Sequence, residues 1–354
     1  MQADEPFADG NIDRPTPCLV VDDDALSHNM ATMAAALPGP RLRPHVKAFK
    51  STALARRLVG VGHHNFSCAT LSEVEGMLAE GLGHDLLMAN QTLDAAYLRR
   101  VVSSMGHGDR FTLAVDSPET IDVAAEAGVP DVLIDVNVGL PRCGCHPADA
   151  SALADLARSR GLNVRGVMGY EGHLMMVEGR DERADRVAAS MADLVRASVE
   201  VGGEIISAGG TGTYDMNHVA TEIQAGSYTL MDTHYGTLGL PFRQALWVEA
   251  TIISVNEPGG WIVADAGLKA FGMDHGNPTW PFGDVWFCSD EHTTLGPAGD
   301  RTWRVGDRVR LAPAHVDPTV AKHERMWLVT SNQTGGQERS DRSVTEWPVD
   351  LRHW

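Results

Sequence analysis

From residue 43 to residue 225, short β-rich runs alternate with longer helical patterns, and this rhythm constrains the fold more than any other feature. The β-rich runs are 43–48, 65–69, 85–89, 111–115, 131–136, 164–168, 204–207 and 222–225. Each but the last is followed by a helical stretch before the next run. That order predicts an α/β fold, a (β/α)8 TIM-like barrel with the helices outside. An open doubly wound sheet fits less well, because no Gly-x-Gly-x-x-Gly turn follows the first run. Several helix starts are legible. Ser72-Glu73-Val74-Glu75 reads as a capping box, and Ser117-Pro118 as a cap with proline at the first helical position. Across 181–201, Val187, Met191, Leu194, Val195 and Ser198 form one stripe at helical spacing.

From about Phe242 the texture changes. Residues 246–255 and 261–265 read as strands, with Glu257-Pro258-Gly259-Gly260 as the turn between them. All eight tryptophans, from Trp247 to Trp354, lie in this half. The expected organisation is a barrel over 18–240 and an all-β domain over 241–354, completed by residues 1–17. The stretch 297–303 reads as a surface loop.

With 29 Lys and Arg against 47 Asp and Glu, the formal charge is −18, which excludes a broad nucleic-acid surface. No run of eighteen apolar residues occurs, and the start Met1-Gln2-Ala3-Asp4-Glu5 is acidic where a secretory signal would be basic. A soluble, cytoplasmic protein without membrane or nucleic-acid partners is expected. Cys18, Cys68, Cys143, Cys145 and Cys288 form neither a disulfide framework nor a four-ligand zinc set, and read as small buried hydrophobes.

A (β/α)8 barrel carries its chemistry at the C-terminal ends of its strands, with phosphate held after the seventh and eighth. There this chain has Ala208-Gly209-Gly210-Thr211-Gly212-Thr213-Tyr214 and Gln224-Ala225-Gly226-Ser227-Tyr228, rich in amides and hydroxyls. On the first expected strand, Arg43, His45 and Lys47 alternate onto one face, with Lys50 opposite. A lysine at a barrel mouth, its pKa lowered by burial, is a Schiff-base nucleophile toward an aldehyde. Lysine, phosphate cup and barrel together suggest pyridoxal 5′-phosphate (PLP).

The ordered motifs make a resemblance specific. They are Thr16-Pro17-Cys18-Leu19-Val20-Val21-Asp22, Arg43-Pro44-His45-Val46-Lys47, the run from Asp135 to Gly144, Gly169-Tyr170-Glu171-Gly172-His173, the turn from Gly209 to Thr213, and Glu222 to Asp232 with Tyr235. Asp265-Ala266-Gly267-Leu268-Lys269, Asp290-Glu291-His292 and Pro313-Ala314-His315-Val316-Asp317-Pro318-Thr319 complete the set. Together they resemble the D-threonine aldolase and D-serine dehydratase family, within the alanine-racemase-like PLP fold. The resemblance implies that Lys47 bonds the cofactor. Thr211, Gly226, Ser227 and Tyr235 match positions contacting it, chiefly at the phosphate, while Arg142 and Tyr170 match groups facing its ring. Where some relatives carry glutamine, this chain has Ala69.

His315 and Asp317, two apart, would share one face of a strand and offer a divalent ion an imidazole and a carboxylate. That donor pair favours Mn²⁺ or Mg²⁺, with Zn²⁺ or Co²⁺ less suited. In relatives resembling D-serine dehydratases the second ligand is usually cysteine; in those resembling D-threonine aldolases it is usually aspartate. Asp317 therefore points to retro-aldol cleavage of a D-β-hydroxy-α-amino acid to glycine and an aldehyde. His173, or a water on the metal, would take the hydroxyl proton. The alternative on the same fold is a dehydratase releasing a 2-oxo acid and ammonia. A non-catalytic PLP carrier would resemble the barrel alone, and against an amino-acid racemase, the second-domain motifs of this chain hold no obvious catalytic tyrosine. Arg43 and His45 are each either a contact for a substrate β-carboxylate or structural. The resemblance also implies a homodimer.

Overall fold

The structure, a computed structural model, describes residues 14–330 and 343–353. The acidic start, most of the 1–17 segment and Trp354 lie outside the described residues. The described chain divides into two compact units. One comprises the residues up to Met30 with Thr229–Asp350, the other Ala31–Tyr228 with the residues from Leu351. The divisions fall at 30/31 and 228/229, inside the 18–240 segment that the sequence patterning assigns to the barrel.

Chain order begins β1 (Cys18–Asp22), α1 (Asp23–Ala36), α2 (Thr52–Gly60), β2 (Asn65–Cys68), α3 (Leu71–Ala79), β3 (Asp85–Met88) and α4 (Ala95–Ser104). It continues β4 (Phe111–Val115), α5 (Pro118–Glu126), β5 (Asp131–Asp135), α6 (Ala150–Ser159), β6 (Asn163–Gly169), α7 (Arg180–Val201), β7 (Ile205–Ala208) and β8 (Glu222–Ile223). Strands β2 to β8 form one parallel sheet in sequential order. Each is short and almost wholly buried, as a strand covered on both faces must be. Leu87, Ala114, Leu133, Met168 and Ile205 cluster in its core.

The expected first strand is not one. Residues 42–45 make only isolated bridges, Leu42 to Ile223 and His45 to Ser67, and the chain then coils into a 3₁₀ turn at Val46–Ala48. Those bridges nevertheless join both edges of the seven-stranded sheet, so it curls back on itself. The residues of this segment are committed elsewhere. Arg43 is 1% exposed, with Nε 2.8 Å from Glu222 Oε1 and Nη1 2.9 Å from the Asp85 carbonyl. Arg165 holds the Asp85 carboxylate from the other side, at 2.9 and 3.0 Å, and donates to Thr112. Asp85 and Glu222 open their strands, so this network plugs the N-terminal end of the barrel. Arg43 is structural, and the alternating face expected for Arg43, His45 and Lys47 does not form.

The helix starts are partly corrected. Ser117 caps α5 in a reciprocal box with Thr120, and Pro118 takes the first helical position. For α3 the cap is Thr70, not Ser72; Glu73 returns its carboxylate to the Ala69 amide. Along α7 the buried stripe is Val187, Met191, Leu194, Ala197 and Val201, one step from the expected Val195 and Ser198.

The other unit is built on β1 with β9 (Leu246–Asn256), β10 (Trp261–Ala264), β11 (Gly283–Cys288), β12 (Thr293–Pro297), β13 (Arg308–Leu311), β14 (Arg325–Thr330) and β15 (Ser343–Pro348). Its sheet order is β11-β12-β10-β9-β1-β14-β15, with β13 also on β9. β1 is thus an interior strand, antiparallel to β9 and parallel to β14. The approach to it is fixed by Arg14 on Glu249 (2.8 Å) and Thr16 on Asp265 (2.6 Å). Two short helices interrupt the strands, α8 (Thr233–Gly236) and α9 (Val316–Ala321). Within the stretch read as a surface loop, Trp303 is buried against Trp280 and Phe282. All five cysteines are free; Cys18, Cys68 and Cys145 are buried, but Cys143 is exposed, contrary to expectation. No described helix is long and apolar enough to cross a membrane.

Candidate active site

Lys47 sits half-buried in the 3₁₀ turn that follows the edge-joining segment. That turn is anchored to the end of β8. His45 donates its amide to the Ala225 carbonyl at 3.1 Å, and a Cβ on Gly226 would lie 2.4 Å from the His45 carbonyl. Position 226 therefore has to be glycine for Lys47 and the eighth-strand turn to pack. Burial, reinforced by the charges of Lys47, Lys50 and Arg142, holds His45 well below the usual imidazole range. The ring stays neutral in a cationic neighbourhood that favours an anionic ligand. Lys50, expected to face away, is paired with the buried Glu73 at 2.5 Å.

The turn after β7 is shaped for close approach. Gly209 has φ +82°. A Cβ on Gly212 would meet the Met175 carbonyl at 2.3 Å, and one on Gly210 the Met175 sulfur at 2.9 Å. Thr211 Oγ1 accepts the Tyr228 amide at 3.1 Å, which links this turn to the one holding Gly226 and Ser227. Thr211 and Gly212 are buried, yet among the described residues their amides find no hydrogen-bond acceptor. Buried amides are almost always paired, so two adjacent ones left open are suited to an anion. Open amides, glycine-lined turns and a lysine on the same barrel rim fit a cofactor bearing a phosphate and an aldehyde.

Arg142 and Tyr170 meet on this rim, the guanidinium 5.2 Å from the ring centroid. They line a small cleft with Asp135, Asn137 and Cys143. Burial lifts the Asp135 carboxyl to about 7, against a 2.7 Å hydrogen bond from Gln91. His173 is exposed, its ring over Gly139; a Cβ on Gly139 would lie 3.0 Å from His173 Nε2. Two residues of this site escape motif reading. Glu171, inside the quoted Gly169–His173 motif, is fully buried and holds the glycine turn. Asp135 heads another quoted motif, but its burial has no signature in a single sequence.

Tyr235, His315 and Asp317 belong to the β-rich unit. Tyr235 lies in α8, its amide on Asp232 at 2.8 Å. His315 and Asp317 do not share a strand face: His315 is the extended N-cap residue of α9 and Asp317 lies in that helix's first turn. The residues that come together are Asp274, His275 and His315, whose ligand atoms all lie within 4.8 Å of one another. His315 Nδ1 is 2.6 Å from Asp274 Oδ2, and the His275 and His315 rings stack at 4.1 Å. Asp317 acts on His275 through its charge. Imidazole and carboxylate donors, without a thiol, fit a hard to borderline divalent ion. Asp265, Lys269 and Glu291, motif residues without an expected role, line a separate cleft of about 480 Å³ in this unit.

A curled parallel sheet with a lysine and glycine turns on one rim, followed in the chain by a mostly-sheet unit, is the alanine-racemase-like class of fold. Residues 21–234 match the alanine racemase N-terminal domain, and residues 245–329 a serine dehydratase domain. The chain belongs to the D-threonine aldolase and D-serine dehydratase family, whose named members are lyases. It is 33% identical to a D-threonine aldolase from Arthrobacter sp. over 89% of both chains. It is 30% identical to a 3-hydroxy-D-aspartate aldolase from Paracoccus denitrificans, covering 95% of this chain and 92% of that one. Among solved structures, a D-threonine aldolase from Filomicrobium marinum superimposes with a TM-score of 0.86 at 30% identity, over 96% of both chains.

Proposed function

We propose that this protein is a PLP- and divalent-metal-dependent lyase that cleaves D-threonine-like β-hydroxy-α-amino acids to glycine and an aldehyde. The observation that carries the reading is the donor chemistry of one cluster in the β-rich unit: among the described residues it gathers carboxylate and imidazole groups at Asp274, His275 and His315, with Asp317 in the next helix turn, and no cysteine joins it. PLP, when bound, supplies the electron sink that stabilises a carbanion at Cα, and the metal supplies a Lewis acid for the β-hydroxyl.

The protein's share is positioning and proton transfer. Lys47 is the amine that would hold the cofactor through its aldehyde. The amides of Thr211 and Gly212, with the turn at Gly226 and Ser227, receive the phosphate. Arg142 and Tyr170 face the ring. His315 and Asp317, with Asp274 and His275 beside them, hold the ion. His173 Nε2 takes the proton from the β-hydroxyl. Arg43, paired with Glu222 and Asp85, is not a contact for a substrate carboxylate.

The match of residues 245–329 to a serine dehydratase domain favours a second reading, elimination to a 2-oxo acid and ammonia. Incubation with D-threonine separates the two. Glycine and acetaldehyde are expected; 2-oxobutanoate and ammonia would replace the aldolase reading with the dehydratase one.

A further inference from the structure

We infer that Glu171 is a positioning residue for the phosphate of the cofactor, acting through the Gly209–Thr213 turn. Glu171 is 0% exposed, an expensive place for a carboxylate unless every lone pair has a use. Among the described residues, the hydrogen bonds of its carboxylate all go to one loop. Oε2 accepts the Gly209 amide at 3.1 Å, while Oε1 accepts the Thr213 hydroxyl at 2.8 Å and the Asn217 side-chain amide at 3.2 Å.

Gly209 and Thr213 are the two ends of the turn. The carboxylate therefore clamps both ends and leaves between them the two amides, of Thr211 and Gly212, that lack an acceptor among the described residues. Thr213 Oγ1 passes the constraint inward by accepting the Gly210 amide at 3.3 Å. Without the clamp, Gly209 and Gly210 are free to take the many conformations open to glycine, and the open amides lose their fixed spacing. The role is preorganisation: the loop is ordered before an anion arrives, so binding costs less.

The assignment rests on the PLP reading of the site, and the test separates the two. The full-length holoenzyme is stripped of cofactor and titrated with PLP and, separately, with pyridoxal, which keeps the aldehyde and lacks the phosphate. In Glu171→Gln the shape is kept, but one oxygen becomes an NH₂ that cannot accept from Gly209. PLP affinity is expected to fall by about tenfold or more, as for loss of a hydrogen bond to a charged group, with pyridoxal affinity within about twofold of wild type. Thr213→Val, which removes one of the three donors, is expected to show the same selectivity to a smaller extent. It carries the test if Glu171→Gln does not fold.

Equal losses for PLP and pyridoxal would reduce Glu171 to a structural residue and overturn the inference. Unchanged PLP affinity in both variants would overturn it as well. Wild-type protein that binds PLP no better than pyridoxal would overturn the phosphate reading of the turn itself, and the inference with it.

Discussion

Arg43 and Glu222 form an ion pair of 2.8 Å in which the side chains are 1% and 6% exposed. Asp85 and Arg165 extend it, so four charges are buried at the N-terminal end of the barrel. Removing one member strands its partners in a poorly solvated interior. Arg43→Met is expected to destabilise the barrel unit by about 3–5 kcal/mol, read from urea unfolding of the full chain. A change below about 1 kcal/mol would show that the charges are not mutually dependent.

Asp135 gives the fold a pH dependence. Its carboxyl is raised to about 7, chiefly by burial, against an ordinary value near 4. Between about pH 4 and pH 7 the folded chain keeps a proton that the unfolded chain has released, so this residue lowers stability as pH rises through that window. Asp135→Asn removes the effect. Relative to wild type, the variant gains stability between pH 5 and pH 8, by at most about 3 kcal/mol. Melting curves at the two pH values check this, and a constant difference would contradict it.

Much of this was legible in the sequence, because the features concerned are periodic or local. Seven of the eight strand runs fold as parallel strands near their expected bounds, and the Ser117-Pro118 start forms as read. What misled was pairing that only the fold supplies. Residues 43–48 alternate like a strand, but Arg43 is drawn to Glu222 and Asp85, and the chain coils at Val46. His315 and Asp317 have strand spacing, yet Pro318 falls at the third position of α9, inside the first turn where a missing amide costs nothing. The partners of His315 come from position 274, 41 residues away, and no local motif announces them.

The glycine turns are expected to tolerate no side chain. A Cβ at Gly212 or Gly226 meets a backbone carbonyl at 2.3 or 2.4 Å, a clash that no side-chain motion relieves. Gly212→Ala and Gly226→Ala are each expected to lose bound PLP on gel filtration while the far-ultraviolet dichroism of the barrel persists. Full PLP retention in both would mean that the turns do not hold the cofactor.

The proposed metal site at Asp274, His275 and His315 predicts a split between colour and chemistry. EDTA treatment is expected to abolish cleavage of D-threonine and leave the yellow lysine-bound PLP intact. His315→Ala is expected to bind little Mn²⁺ or Mg²⁺. Asp274→Asn, which loosens the hold on His315 Nδ1, is expected to weaken metal affinity by about 10- to 100-fold, read by metal content after dialysis. Full activity in EDTA would remove the metal from the mechanism.

The attachment of PLP to Lys47 is open to a direct chemical test. The purified protein, incubated with PLP and reduced with borohydride, is digested and its peptides are weighed. A stable pyridoxyl adduct on Lys47 is expected, and it should vanish in Lys47→Ala. A colourless protein with no adduct, or an adduct only at Lys50 or another lysine, would contradict the assignment.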